Sequence, residues 1–437
     1  MNALTTDTTD TTATGPTPVT TVGPRERWLV GIALVLIALH IVDDSFLQPQ
    51  PGTSAGDHLV SGLVPLAVIV GLGVGYLRWR PGVRAVVAAL LGAFGVTVGA
   101  EAVYYVSEGD FGGDDFTGLL AIAAGLALLC CALVVLWRSR RADGRRWWRY
   151  TRRLLLAVAA VVVAYVLVFP FMTGYVFTHV GVTDIPEPDF GAPYEDVELT
   201  TSDGLTLQAS YVPSRNGAAV IVVPGLSNTQ DDEARMLVSH GYGVLLLIRR
   251  GEGESEGDPN MLGWAASDDV HAAVDFLSER PEVDPDRIGG LGFSVGGEIL
   301  IQAAAESDQL AAIVSEGGSQ RSVREGMNFT DWTKWFGVPS GAAMTAGVAV
   351  FGNQTPPPNL KDLVADISPQ AVFLVYATDG QFAEVELTDD YYAAAGEPKR
   401  IWEVPEGGHI GGYAARPDEY EQRVVDFFDT ELLGTTR

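Results

Sequence analysis

The sequence contains little cysteine and little lysine. Its two cysteines, Cys130 and Cys131, are adjacent and lie inside an apolar run, so they can neither close a useful disulfide loop nor provide the spacing of a zinc site. Only three of the 28 basic residues are lysine, which indicates a GC-rich genome and says nothing about function. A small disulfide-stapled fold and a cysteine-based zinc domain are therefore excluded.

Positive charge is scarce in the second half of the chain. Residues 181–437 contain 43 acidic and 15 basic residues, whereas residues 1–180 contain 12 acidic and 13 basic ones. Nucleic acid and anionic lipid surfaces would repel such an acidic segment. We therefore expect no nucleic-acid partner. The length of 437 residues indicates two or three domains.

The first 180 residues are dominated by apolar runs. Residues 1–24 are rich in Thr and poor in large apolar residues, which predicts a disordered tail. Most of the runs that follow reach the roughly 20 residues that a bilayer core requires. These runs are 28–42, 59–77, 85–106, 119–137 and 154–176. The first spans only if it continues to about Leu47. Residues 25–180 are therefore predicted to form a transmembrane domain of five helices.

Arginines alternate between the two ends of these runs, which predicts their orientation. Arginines occur in the tail, between the second and third runs, and between the fourth and fifth runs, where there are eight. The other two loops contain none. By the positive-inside rule, the N-terminus is cytoplasmic and everything after about Val180 lies outside the cell membrane.

Residues 181–437 alternate between short strand-like runs and helical ones. Continuous apolar strands such as VIVV are typical of a parallel sheet covered by helices on both faces, and the first two strands indicate an antiparallel hairpin at the edge. The predicted strands are 195–200, 205–212, 218–223, 243–248, 287–293, 310–315, 371–377 and 400–404. This pattern predicts a doubly wound, mostly parallel α/β domain.

A nucleophile motif follows the fifth predicted strand. Residues 292–296 read Gly-Phe-Ser-Val-Gly and open a helical run. In a strand–turn–helix context, this spacing holds the Ser294 hydroxyl out on a sharp turn. The other interpretation is a glycine-rich turn with a bystander serine.

A serine nucleophile needs a base, and His409 is the best placed of the six histidines. It follows Gly407-Gly408 in the loop after the last predicted strand, whereas His240 and His271 suit structural roles at or within helices. The order of a serine, an acid and a histidine along the chain is that of known serine hydrolases.

The acid should come from the loop after strand 371–377, where both Asp379 and Glu384 are available. Spacing from the strand end favours Asp379. We favour Glu384, because it opens a helix and a rigid element orients the imidazole better. Glu316, at the end of the preceding strand, is a more distant alternative. The residues alone leave the choice open.

An oxyanion hole requires backbone N–H groups that face the developing charge. Val295, which follows the nucleophile, should supply one of them. Leu226, in the Pro224-Gly225 loop after the third predicted strand, is the candidate for the other. The alternative for this loop is a simple turn.

These motifs together give the sequence a family resemblance. The Pro224-Gly225 turn, the Arg-Gly-Glu-Gly-Glu-Ser-Glu-Gly run at 250–257, the serine motif and the terminal Gly-Gly-His resemble the α/β-hydrolase superfamily, in particular dienelactone-hydrolase and prolyl-oligopeptidase-like serine hydrolases. Ile248 departs from the pattern, because relatives usually have an aspartate there. The resemblance implies a Ser-His-acid triad with no cofactor and no metal.

Two further features need an interpretation. The insertion at about 318–370 falls where such hydrolases carry a cap, and we expect a lid over the site, with an apolar patch on the outer leaflet as the alternative. Ionisable residues also gather at the outer ends of the apolar runs, where they could bind a metal, move protons or form a hydrated cluster that ties helices together. These are His40, Asp43, Asp44, His58, Glu101 and His179.

The sequence thus predicts a membrane-anchored, extracytoplasmic serine hydrolase that cleaves an ester or amide bond of a small-molecule, peptide or lipid acyl substrate. An inactive hydrolase fold that serves as a sensor or scaffold is one alternative. An envelope acyltransferase is another.

Overall fold

The computed structural model describes residues 22–108, 113–138, 146–226, 230–321, 325, 327, 332–380 and 384–435. Most of the predicted N-terminal tail lies outside these residues. So do three arginines of the loop between the fourth and fifth apolar runs (140, 141 and 145), residues 227–229 of the predicted oxyanion loop, and residues 381–383 between the two acid candidates.

Within the described residues, five helical segments are long and apolar enough to cross a membrane. They are Pro24–Leu47, Leu59–Tyr76, Pro81–Ser107, Asp115–Arg138 and Tyr150–His179. We call them the first to fifth apolar segments. Each overlaps one of the predicted runs, and the first does continue to Leu47, through a π-helical turn, Asp43–Leu47. The five apolar N-terminal helices of the prediction are therefore confirmed by length and composition.

Local irregularities divide some of these segments into shorter helices. The helices are α1 (Pro24–Val42), α2 (Leu59–Tyr76), α3 (Pro81–Val98), α4 (Ala100–Glu108), α5 (Gly113–Arg138), α6 (Arg146–Val163) and α7 (Phe169–His179). The π-helical turn Ala164–Val168 joins α6 to α7. Side chains of the first four segments share a core that also includes Tyr175 of α7.

An eight-stranded sheet organises the second half of the chain. Its strands are β1 (Glu195–Thr200), β2 (Thr206–Val212), β3 (Ala219–Val223), β4 (Gly243–Leu247), β5 (Ile288–Phe293), β6 (Ala312–Glu316), β7 (Ala371–Ala377) and β8 (Lys399–Val404). They lie in the order β1-β2-β4-β3-β5-β6-β7-β8. β1 pairs antiparallel with β2 and β2 with β4, whereas the other pairs are parallel. The predicted edge hairpin and mostly parallel sheet are both confirmed.

Helices cover both faces of this sheet, and the central strands are therefore buried along their whole length. The helices are α8 (Asp231–Ser239), α9 (Ser267–Ser278), α10 (Val295–Glu306), α11 (Val338–Phe351), α12 (Leu360–Asp366), α13 (Glu384–Ala394), α14 (Gly412–Ala415) and α15 (Pro417–Glu431). One core packs α9, α10, α12 and α13 on one face, and another packs α8 and α15 on the opposite face. α11 belongs to neither core.

The parallel strands bring the predicted site residues to one edge of the sheet. In a doubly wound sheet, the loops that leave the carboxyl ends of neighbouring strands meet and form the site. Ser294 follows β5, Glu384 follows β7 and His409 follows β8. The fold therefore gathers three residues that are 115 positions apart at their extremes.

Candidate active site

Ser294 occupies a strained turn between β5 and α10. Its φ of 51° and ψ of −121° are rare for a residue with a side chain, and such strain is typical of a nucleophile elbow. A Cβ on Gly296 would collide with the carbonyl oxygen of Val223, so the start of α10 can press against the end of β3 only because residue 296 is glycine. The Ser294 N–H donates to the carbonyl oxygen of Glu316 at 2.8 Å, which ties the turn to β6.

Ser294, His409 and Glu384 form a continuous chain of side-chain hydrogen bonds. His409 Nε2 lies 2.9 Å from Ser294 Oγ, and His409 Nδ1 lies 2.8 Å from Glu384 Oε2. The second Glu384 oxygen, Oε1, accepts the Ala377 N–H at 3.0 Å, and the residue is completely buried. Because a carboxylate can only accept, the bond to Nδ1 fixes the tautomer in which Nε2 is free to take a proton.

Asp379 lies near His409 but contacts the loop instead of the ring. Its Oδ1 accepts the Gly408 N–H at 2.8 Å. The structure thus brings Glu384 to the imidazole and places Asp379 where it holds the backbone beside His409.

Glu316, the more distant acid candidate, also supports the histidine loop. Its Oε1 accepts the Gly412 N–H at 2.8 Å, and its Oε2 accepts the Tyr420 hydroxyl at 2.7 Å. Burial raises the pKa of the Glu316 carboxyl above its ordinary value, while these two donors oppose the shift. Glu316 therefore links β6 to the segment that follows His409, and its contacts point to a positioning role.

The backbone around Ser294 has the geometry that the predicted oxyanion hole requires. Val295 is the first residue of α10, so its N–H has no acceptor within the helix and points out of the helix end. The loop that contains Leu226 passes close to the nucleophile, because a Cβ on Gly225 would lie 3.3 Å from Ser294 Cβ. Leu226 itself is 52% exposed.

Two arginines after β4 have roles that the sequence pattern did not assign. Arg249 is buried, pairs with Glu252 and donates from Nη2 to the Gly225 carbonyl oxygen at 3.2 Å, so it holds the loop beside the nucleophile. Arg250 instead binds Asp269, with 2.7 Å between Nε and Oδ1. The only signal in the sequence was the pair of adjacent arginines at a strand end.

The ionisable residues that the sequence places at one end of the apolar segments connect different parts of the chain. Thr117 donates to Asp43 at 2.8 Å, the Tyr175 hydroxyl donates to Glu101 at 3.2 Å, and His179 Nε2 lies 3.7 Å from Asp44. Two further contacts are those of His40 Nε2 with the Val98 carbonyl oxygen at 2.9 Å and of His58 Nδ1 with Asp258 at 3.8 Å.

These contacts favour the interpretation of a polar cluster that ties helices together. Within the part of the chain that the structure describes, no group of three or more His, Cys, Asp or Glu residues is arranged to hold a metal ion.

The insertion was expected to form a lid over the site, and its described part includes α11. α11 packs against the N-terminal helices: the Phe351 ring lies 6.2 Å from the Phe94 ring, 5.3 Å from that of Phe171 and 5.4 Å from that of Tyr175. The hydrophobic effect accounts for this packing, because α11 carries no charged side chain and the apolar segments offer it an apolar surface.

Comparison with known proteins supports the assignment of the second half as a hydrolase-type fold. Residues 191–361 match the family described as X-Pro dipeptidyl-peptidase (S15 family). The chain is 25% identical over 257 residues to the uncharacterized protein YfhR of Escherichia coli. That alignment covers 54% of this chain and 81% of YfhR. The chain is 35% identical over 130 residues to the polyketide transferase grgF of a Penicillium species, which covers 28% of this chain and 44% of the relative.

Solved structures are also similar to part of this chain. The α/β hydrolase GrgF from Penicillium has a TM-score of 0.47 and 22% identity, over 55% of this chain and all of that one. The esterase Pf2001 from Pyrococcus furiosus also has a TM-score of 0.47, with 21% identity over 58% of this chain and 99% of the esterase.

Proposed function

We propose that this chain, whose second half is an α/β-hydrolase domain, is a membrane-anchored serine hydrolase that cleaves an ester or amide bond through an acyl-enzyme on Ser294. The observation that carries the proposal is the hydrogen-bonded chain from Ser294 through His409 to the buried carboxylate of Glu384. This arrangement meets the geometric requirement for an activated nucleophile, with a base in contact with the hydroxyl and a third group that orients the base.

The reaction has two balanced steps. Ser294 Oγ attacks the carbonyl carbon while its proton passes to His409 Nε2. The N–H groups of Val295 and Leu226 stabilise the oxyanion. His409 then protonates the leaving alcohol or amine, and the acyl group stays on Ser294. In the second step His409 takes a proton from water while the water oxygen attacks the acyl carbon. The bond between the acyl carbon and Ser294 Oγ then breaks, His409 returns the proton to Ser294 Oγ, and the carboxylic acid leaves.

Glu384 stabilises the positive charge that His409 carries during both steps. Its carboxylate is buried and bonded to the ring at 2.8 Å, so the attraction to the imidazolium is weakly screened by solvent. We assign Glu384 as the acid of the triad.

The active site is proposed to face the extracytoplasmic side. The support is the distribution of arginines, which are present at the cytoplasmic ends of the apolar segments and absent from the two outer loops. With five spans, the hydrolase domain then follows the last span on the outside.

A fluorophosphonate probe tests the proposed mechanism on the full-length chain. Labelling should map to Ser294, be abolished in Ser294→Ala and fall by several orders of magnitude in His409→Ala, because the triad acts as a unit. Equal labelling of Ser294→Ala would refute the assignment. Absence of labelling in a folded wild-type chain would favour the alternative of an inactive sensor or scaffold.

Acyl transfer is a second candidate, because one of the relatives is named a polyketide transferase and is 35% identical over the region it shares with this chain. In a transferase, an acceptor hydroxyl or amine would replace water in the second step. Product analysis with an acceptor present separates the two: an acylated acceptor indicates transfer, and free acid alone indicates hydrolysis.

A further inference from the structure

The edge of the sheet that carries Ser294 faces the outer ends of the apolar segments. The loop after β4, residues 251–263, forms backbone hydrogen bonds with them. Gly253 N donates to the Val182 oxygen at 2.7 Å, Gly257 N to the Pro51 oxygen at 2.9 Å, and Met261 N to the Phe177 oxygen at 2.9 Å. These acceptors lie in or beside the loops and helix ends on one side of the N-terminal domain.

The same loop lies directly against the helix that follows the nucleophile. A Cβ on Gly263 would come within 2.8 Å of the Val295 side chain and 2.6 Å of Ile299. The loop therefore has the apolar segments on one side and the start of α10 on the other. Ser294, which precedes α10, lies at the edge of the domain that faces the bilayer surface.

The insertion after β6 leaves the hydrolase domain and returns to it at a single place. Glu325 accepts the Arg321 N–H at 2.9 Å near the start of the insertion and the Leu360 N–H at its end. The described residues between these points include the apolar helix α11. The two ends of the insertion therefore lie together at the same edge of the sheet as Ser294, and we call the described residues between them, 332–351, the hairpin.

α11 runs alongside the fifth apolar segment and in the same direction. Gly347 lies against Phe171 and Gly174, and Gly352 lies against Thr178. α11 also contacts the π-helical turn Ala164–Val168. Gly174 and Gly347 meet backbone to backbone, the kind of small-residue contact by which helices associate within a bilayer.

This packing determines the depth of α11 once the fifth segment spans the membrane. Its 14 residues extend about 21 Å from the outer end toward the opposite side of a hydrocarbon core that is about 30 Å thick. Trp332 and Phe336, which precede α11, are 71% and 72% exposed. Such large apolar surfaces are costly in water and favourable in lipid.

We propose that α11 and residues 332–337 form a re-entrant membrane segment, and that the substrate of Ser294 is the acyl ester of a non-anionic lipid that reaches the site from the outer leaflet. This inference rests on the proposed function. Three features that lie together support it. These are the edge of the sheet that carries Ser294, the hairpin, and the packing of α11 alongside the fifth apolar segment. The exposed Leu226 side chain beside Ser294 adds apolar surface at the site.

The charge of the domain selects against anionic lipids. Residues 181–437 contain 43 acidic and only 15 basic residues, so the region around the site should repel anionic headgroups. A neutral glyceride or a zwitterionic lipid approaches without this penalty.

The depth of the hairpin can be measured directly in the full-length chain. In a background without Cys130 and Cys131, a fluorophore is attached to a single cysteine at Phe336→Cys, with Val158→Cys in the fifth segment and Asp308→Cys on the exposed hydrolase surface as references. We expect a mid-chain nitroxide lipid to quench the Phe336 label as strongly as the Val158 label, and aqueous iodide to quench only the Asp308 label. A Phe336 label that behaves like the Asp308 label overturns the re-entrant segment.

The substrate is tested in nanodiscs of zwitterionic lipid that contain a fluorogenic diacylglycerol, with p-nitrophenyl acetate as the soluble ester. Gly347→Leu should separate α11 from the fifth segment and lower the ratio of lipid to soluble-ester cleavage by about tenfold or more. Gly341→Leu is the matched control, because a Cβ there meets nothing within 4 Å, and its ratio should stay within about twofold of wild type.

The outcomes distinguish this inference from the proposed function. Ser294-dependent cleavage of the soluble ester without cleavage of the glyceride overturns the lipid substrate and leaves the hydrolase intact. Loss of both cleavages together with absent fluorophosphonate labelling overturns the proposed function as well. An unchanged ratio in Gly347→Leu overturns the role of the hairpin.

Discussion

Gly380 lies directly against the carboxyl group of Glu384, so that a Cβ built on Gly380 would come within 2.6 Å of the Glu384 carboxyl carbon. Glu384 is the first residue of α13, and its side chain reaches back to accept the N–H of Ala377 at the end of β7. That path passes over residue 380. A glycine next to Asp379 therefore allows an acid from the following helix to reach His409.

Gly380→Ala should lower kcat by displacing the Glu384 carboxylate from His409. A shift of about 1 Å in a catalytic group costs up to roughly 100-fold, so we expect a loss of about 10- to 100-fold in ester hydrolysis. Gly82→Ala is the control, since an added Cβ there meets nothing within 4 Å. Equal activities of the two variants would mean that the carboxylate position at Glu384 does not limit the reaction.

Exchanging each acid for its amide tests which one serves the histidine. Glu384→Gln should lower kcat by about 10⁴-fold, because the amide can donate to Nδ1 and stabilise the wrong tautomer. Asp379→Asn should lose much less, since the amide oxygen can still accept the Gly408 N–H. A large loss in Asp379→Asn alone would reverse the assignment. Small losses in both would leave Glu316 or a serine–histidine dyad.

Glu233 should make the stability of the hydrolase domain depend on pH. Burial raises the pKa of its carboxyl to about 7 from an ordinary 4.5. The unfolded chain therefore loses its proton first, and stability present below pH 4.5 is lost as the pH rises to about 7. The free energy of unfolding that is lost in this way is at most about 3 kcal/mol.

Glu233→Gln removes this dependence without a large change in volume. In thermal unfolding of the full-length chain, the variant should match the wild type at pH 4.5 and unfold at a higher temperature at pH 8. The exposed Glu187→Gln serves as the control and should follow the wild type at both pH values. A difference that is the same at both pH values would show that Glu233 is not the titrating group.

Reporter fusions test the orientation of the apolar segments. A fusion after Arg146 should report a cytoplasmic location and a fusion after Val180 an external one, because arginines are retained on the cytoplasmic side. A cytoplasmic report after Val180 would refute both the five-span topology and the outward-facing active site.

Local sequence patterns were sufficient to predict most of the α/β domain. The central strands β3, β4 and β7 are almost continuous apolar runs, and the glycines around Ser294 specify a turn that few other residues can form. His409 could be found because it occupies a glycine-rich loop at a strand end. In each case the information lies within a few residues of the feature.

Two features depend on contacts that no local pattern encodes. Asp379 and Glu384 differ in their contacts with His409 and its loop because of the path of the chain over a few ångströms, and both residue types are chemically suitable. The partner of α11 was not predictable either, because that helix is apolar on all sides and has no face that indicates a direction. The Phe351 side chain packs against Phe94, more than 250 positions earlier in the chain.

The contact between Gly174 and Gly347 also determines how this protein can be divided. A soluble fragment that begins at residue 181 would keep every strand of the sheet, yet it would leave α11 without the surface that covers Phe351. Such a fragment should aggregate through this helix, even with an intact triad. A shortened fragment in which a short polar loop connects Glu325 to Leu360 would lack this exposed apolar surface. We expect that fragment to stay monomeric in aqueous solution without detergent.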